Sequence, residues 1–156
     1  MNRILLVAVI AAAVVAVAAE SLYGVVIPGN VVQGVDTTIT IRASSSTLEF
    51  NPARVSAKAG TRVRIRFVND GTLPHNLVVP KKDDDIDALA LAAYQAGETG
   101  YVPMDMKDKL VSWTALASPG ESVETTFVVP AAGEYTYVCL FPGHSNSMFG
   151  TLRALK

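Results

Sequence analysis

Residues 134–155 read EYTYVCLFPGHSNSMFGTLRAL. Glu134 to Leu140 alternates in polarity and Met148 to Leu155 does so again, which predicts two β-strands. Between them Phe141 to Ser147 contains Pro142-Gly143, a pair that ends regular pairing and turns the chain. Three side chains with metal affinity sit at the junctions: Cys139 closes the first strand, His144 lies in the loop, and Met148 opens the second strand.

Upstream the same grammar repeats. Ser122 to Val129 alternates and is separated from Glu134 by an Ala131-Ala132-Gly133 turn. Thr61 to Val68 places Val63, Ile65 and Phe67 on one face and Arg62, Arg64 and Arg66 on the other, a strand with a solvated side rather than a basic docking face. Val35, Thr37, Ile39 and Ile41 alternate with Asp36, Thr38, Thr40 and Arg42 in a further half-buried strand. A Ser44–Ser46 turn, Leu48 to Phe50, Asn51-Pro52 and an alternating piece to Ala57 follow, closed by Lys58-Ala59-Gly60. Asn69-Asp70-Gly71 turns the chain into Leu73-Pro74-His75-Asn76 and the apolar strand Leu77 to Val79.

Asp83 to Ala96 carries Ile86, Leu89, Ala90, Ala93 and Tyr94 at helical spacing. Its acidic start suits N-terminal capping and the helix dipole. It is the one helix expected in the folded domain. Gly97 to Pro119 reads as irregular, with a short apolar stretch from Val111 to Leu116 around Trp113. Many short strands, frequent Gly/Pro turns and one inserted helix predict an all-β sandwich.

Half of the 156 residues are apolar, enough for one domain with its own core, and a net charge of −1 excludes the electrostatic footprint of a nucleic-acid binder. Arg3 precedes an unbroken apolar run from Ile4 to Ala19 that ends at Glu20. Residues 1–19 therefore read as a secretory signal or, if uncleaved, a membrane anchor, followed by a linker over 20–34 and the folded domain over 35–156. Either form of the leader places the domain outside the cytoplasm, in the periplasm or on the outer face of the cytoplasmic membrane, with residues 4–19 as the anchor where it is kept. A single cysteine, Cys139, rules out an intrachain disulfide and leaves an exported thiol exposed to oxidation unless a metal occupies it.

The chain has two histidines, and the second, His75, also lies at a strand end. If its strand neighbours that of Cys139, then His75, Cys139, His144 and Met148 converge at one pole. Taken singly each has a duller reading: a buried cysteine or methionine is ordinarily core, and a Pro-His-Asn histidine can simply satisfy a turn. Together, at C-x4-H-x3-M spacing, they make a thiolate, two imidazoles and a weak thioether, the donor set of a blue-copper electron-transfer site.

The segment Tyr137 to Leu152 closely resembles the copper loop of azurin, and Leu73-Pro74-His75-Asn76 resembles the first-histidine segment of plastocyanins and auracyanins. Tyr101-Val102-Pro103, Ser112 to Ala115 and Gly120-Glu121-Ser122 are similar to auracyanin. The resemblance runs from about Phe50 to the C-terminus. It implies a type 1 blue-copper cupredoxin: a Greek-key β-sandwich with residues 81–116 as a helical flap, and one copper ion held by His75, Cys139, His144 and axial Met148. It implies that Asn76 cross-links the ligand loops, that Tyr135 is a tyrosine-corner residue, and that Pro74 stands where azurin has a glycine whose carbonyl approaches copper. Leu140 replaces a threonine of those relatives, which removes a hydroxyl from the Asn76 network.

The function expected on this basis is single-electron transfer between extracytoplasmic redox partners, a donor and an acceptor that dock transiently on a monomer. Leu73, Phe141, Pro142 and Phe149 should ring the exposed edge of His144 as the docking patch. An enzyme is not expected. Copper oxidases and nitrite reductases need further histidines, a binuclear copper site needs a second cysteine, and a cysteine protease would leave the His144 and Met148 spacing without a role. The alternative is a copper-binding or copper-delivery protein without redox traffic, although a delivery site should be exposed and methionine-rich. Zinc on the same ligands would leave the protein redox-silent.

Overall fold

The computed structural model describes residues 34–156. The expected leader over 1–19, with its apolar helix, and all but the end of the linker lie outside the described residues. Among the described residues no helix is long and apolar enough to cross a membrane.

Alternating sequence becomes alternating burial. In β4 (Arg62–Asn69) Val63, Ile65, Phe67 and Asn69 are buried while the arginines lie half-buried or exposed, Arg64 facing Glu124 at 3.5 Å. Around β4 a four-stranded sheet forms in the order β2 (Phe50–Asn51), β1 (Thr37–Ala43), β4, β7 (Ser122–Val128), with β1 and β4 parallel. The second sheet has five strands in the order β3 (Arg54–Lys58), β9 (Phe149–Leu155), β8 (Gly133–Val138), β5 (Val78–Pro80), β6 (Leu110–Trp113). Ile41, Val63, Ile65 and Phe67 of the first sheet share one core with Val79, Tyr137 and Leu152 of the second. The expected Greek-key sandwich is thus the observed fold. Tyr135 makes its expected corner, its hydroxyl donating to the Ala131 carbonyl at 2.9 Å.

Strand β5 shows no alternation because both of its faces are covered. Val79 points into the sandwich core, whereas Val78 joins Val138 and Leu140 in a second cluster under Leu89, Ala93, Val102 and Leu110. That second cluster is where the flap sits. Within it the helix is shorter than expected: α1 spans Ile86–Ala93, after a 3-10 turn at Asp83–Asp85. Only Leu89 and Ala93 of α1 are buried, too narrow a stripe to hold more turns against the sheet. The acidic start caps nothing through its side chains; Asp85 instead pairs with Lys109. The segment expected to be irregular contains 3-10 turns at Gly97–Thr99 and Met104–Lys109 and then β6, which pairs with β5 and ends the sheet.

Candidate metal centre

Register brings the two ligand-bearing segments together. β5 and β8 are antiparallel with Val78 opposite Val138, so His75 and Asn76, just before β5, meet Cys139 and Leu140, just after β8. β8 and β9 pair with Val138 opposite Phe149, and the Cys139 amide extends that ladder by donating to the Met148 carbonyl at 2.9 Å. Inside the loop the His144 amide donates to the Phe141 carbonyl (3.0 Å) and the Met148 amide to the His144 carbonyl (2.8 Å), with Gly143 taking the left-handed φ of 83° that the turn needs. His75 is fixed by a two-way backbone bridge with Ala117, at 3.0 and 2.8 Å.

The side chains converge. His75 Nδ1 lies 3.2 Å from His144 Nδ1, and Cys139 Sγ lies 3.8 Å and 3.7 Å from those two nitrogens. The corners of that triangle are all about 2.1 Å from a common point, the length of a metal–imidazole bond. All three residues are buried, and Met148 at the loop's end is buried completely. Desolvation, with His144 alongside, pushes the His75 pKa down to about 4, and burial lowers that of His144. Both imidazoles are therefore neutral at pH 7, with lone pairs free for a cation. Burial pushes the Cys139 thiol up to about 11, against the pull of the Asn76 and Phe141 backbone amides aimed at it. Such a set suits a soft or borderline metal ion.

The family described as "Copper binding proteins, plastocyanin/azurin family" matches residues 37–154. The chain belongs to that family. This cupredoxin is 39% identical over 119 residues to auracyanin-B of Chloroflexus aurantiacus, a match covering 74% of the chain and 51% of the relative, so it spans about half of that protein's length. An auracyanin B structure superimposes with a TM-score of 0.74 at 35% identity, covering 79% of this chain and 91% of that one. The structure of auracyanin A, described as a "blue" copper protein, gives a TM-score of 0.71 at 36% identity over 76% of this chain and 98% of that one. Outer membrane protein H.8 of Neisseria meningitidis is 33% identical over 115 residues, which cover 69% of this chain and 62% of the relative. The cofactor of the cupredoxin is copper, one type 1 ion, and the buried triangle of donor atoms fits it.

Asn76 ties the two segments together: its Oδ1 accepts the Leu140 amide at 2.8 Å, and its Nδ2 donates to the Gly100 carbonyl at 2.8 Å. The flap carbonyl thus takes an amide proton in a network that has no hydroxyl at Leu140. Pro74 is half-buried immediately before His75. Of the apolar residues expected around His144, Phe141 has its ring against the imidazole, centroids 4.8 Å apart. Pro142 is half-buried, while Leu73 and Phe149 are 45% and 55% exposed. His144 itself is 5% exposed against 2% for His75, so its open edge is smaller than the sequence suggests.

Asn69 is a part of the site that the sequence pattern does not single out. Fully buried, it donates through Nδ2 to the Leu73 and Ala117 carbonyls (2.8 and 2.9 Å) and accepts the Gly71 amide at 2.9 Å, which holds the chain leading to His75. Asn69-Asp70-Gly71 signals a turn, and an asparagine bonding two residues ahead is the usual device for one; its reach to Ala117 has no local signal. Asn69→Ala leaves the buried Ala117 carbonyl and Gly71 amide without their side-chain partner and is expected to lower stability by about 2–4 kcal/mol, read as a reduced urea midpoint of the metal-free protein.

Proposed function

We propose that this cupredoxin is a one-electron carrier whose domain, residues 35–156, would hold copper through His75 Nδ1, His144 Nδ1 and Cys139 Sγ, with the Met148 thioether as a further, weak donor. The observation that carries the reading is the buried triangle of one thiol and two neutral imidazoles around a single point. Copper bound there supplies a one-electron couple.

The chain's own part is rigidity and dryness. Backbone ladders fix Cys139 against Met148, the Ala117 bridge fixes His75, and Asn76 locks the segments to each other, so little has to move when charge changes. Burial of every donor also weighs against a delivery site, which must open to hand over its ion. Both histidines lie in the cage, which leaves none for a second, catalytic centre. Electrons would pass by way of His144, with Leu73, Phe141, Pro142 and Phe149 as an apolar docking surface for transient donor and acceptor proteins. The leader over 1–19 and the similarity to an outer-membrane protein support a place outside the cytoplasm, free or anchored.

Voltammetry of the copper-loaded protein tests the carrier role. A reversible one-electron wave is expected; bound copper without one would leave metal binding as the function. Protonation offers a second check. At pH 7 the Cys139 thiol, at about 11, still carries its proton, whereas His75, at about 4, and the likewise lowered His144 carry none to lose. Metal uptake in weak buffer should therefore release about one proton per ion, and apparent affinity should rise about tenfold per pH unit between pH 7 and 9. Release of no proton would mean a preformed thiolate.

A further inference from the structure

We propose that Tyr101 is a positioning residue for the metal centre: from the flap it holds Phe141 against His144 and so keeps water off the outer edge of that imidazole. Among the described residues Tyr101 is the one non-glycine with a positive φ, 64°, directly after Gly100 at 66°. A bulky side chain is disfavoured in that region, and glycine would serve the bend at less strain. Strain of this kind persists where the surroundings over-determine it and the side chain is needed.

The surroundings do over-determine it. The Tyr101 amide donates to the Ala96 carbonyl at 2.8 Å, and the neighbouring Gly100 carbonyl accepts from Asn76, whose other end holds Leu140. A side chain at Gly100 would meet Leu116 Cβ at 3.1 Å, so glycine fits the close approach to Leu116 at this bend. The bend before Tyr101 is thereby bonded to Asn76 and, through that side chain, linked to Leu140. From that anchor its ring meets Phe141 edge-on, centroids 4.9 Å apart at 71°, and Phe141 in turn lies 4.8 Å from His144. On the near side the ring has Gly97, where even a methyl group would stand 3.9 Å from it. Phe141 is half-buried and belongs to the loop that turns at Pro142-Gly143; the Tyr101 ring is its backstop.

A shield of this kind acts on the couple. Excluding water from His144 lowers the local dielectric and disfavours the more highly charged, oxidised site, which raises the potential. This consequence rests on the electron-carrier reading; the shielding itself does not.

Tyr101→Gly removes the ring while keeping a backbone that glycine adopts without strain. In the metal-free protein, diethyl pyrocarbonate should modify His144 severalfold faster in Tyr101→Gly than in the parent, read by peptide mass, with His75 unchanged and Tyr101→Phe behaving as the parent. Parental His144 reactivity in Tyr101→Gly would overturn the proposal, and so would an equal acceleration at His75, which marks general loosening. In the copper-loaded protein Tyr101→Gly should show a lower midpoint potential, with Tyr101→Phe at the parental value. A parental potential in Tyr101→Gly would overturn the claim that the shield tunes the couple. Loss of any reversible couple in the parent itself would instead reject the carrier reading and leave the shielding result standing.

Discussion

Replacing Cys139 with serine is expected to abolish the intense orange-red absorption of the copper-loaded protein while leaving the fold in place. The absorption belongs to a thiolate–copper bond, and a serine hydroxyl lacks the soft sulfur and gives up its proton to a metal far less readily than a thiol. Copper affinity should fall by more than the about 10–100-fold that loss of an outer partner costs. The fold should survive because the change is small in volume and the new hydroxyl has donors waiting. Cys139 is wholly buried, and the backbone amides of Asn76 and Phe141 already point at its sulfur. An oxygen there can accept from them, so no buried polar group is left unpaired. The visible spectrum and far-ultraviolet circular dichroism of Cys139→Ser check the two halves separately. A surviving blue band would remove sulfur from the ligand set.

The largest loss of stability from a minimal change is expected at Gly150. Across the β8–β9 ladder Gly150 faces Tyr137, which is part of the core. A Cβ at 150 would stand 2.3 Å from Tyr137 Cζ, 2.4 Å from its oxygen and 2.5 Å from Cε2. The ring cannot yield. It is 1% exposed, packs on Phe50 at 5.2 Å, and donates its hydroxyl to the Pro52 carbonyl at 2.7 Å. Overpacking costs about 1–3 kcal/mol, and a broken buried hydrogen bond adds about 1 kcal/mol or more. Gly150→Ala should therefore lose about 2–4 kcal/mol, a large share of a typical domain's total, seen as a lower urea midpoint without metal. Tyr137 lies two residues before Cys139 and Gly150 two after Met148. The clash thus strikes both roots of the ligand loop, and copper affinity should fall as well. A parental midpoint would mean that this close approach does not exist in solution.

The same pair illustrates what the sequence could and could not reveal. Alternation in β4, β7 and β9 is readable because one face of each strand meets the core, and period-two patterning records that directly. The donor residues were readable because their types are scarce in the chain and stand where strands become turns. Nothing local announces that Gly150 lies beneath an aromatic ring, since that depends on cross-strand register. The flap was the hardest part. Its elements are short, β6 is held by pairing with β5 rather than by its own pattern, and α1 stops where its buried stripe runs out. The supports of the centre were hidden for a related reason. The Gly100 carbonyl and the amides of Asn76 and Phe141 are backbone groups that every residue possesses, and the Asn69 side chain works by reaching backbone groups, so only placement makes them functional. His144 shows the limit of pattern reading from the other side: its place in the ligand loop is legible, but how closely the Phe141 ring packs on it is not.

The most direct test of the central claim is a visible-absorption titration of the purified metal-free protein with Cu(II). The centre described here predicts an intense orange-red band that grows until one ion is bound per chain and bleaches reversibly on addition of a mild reductant. Copper binding without that band would contradict it, because the thiolate of Cys139 could not then be a ligand.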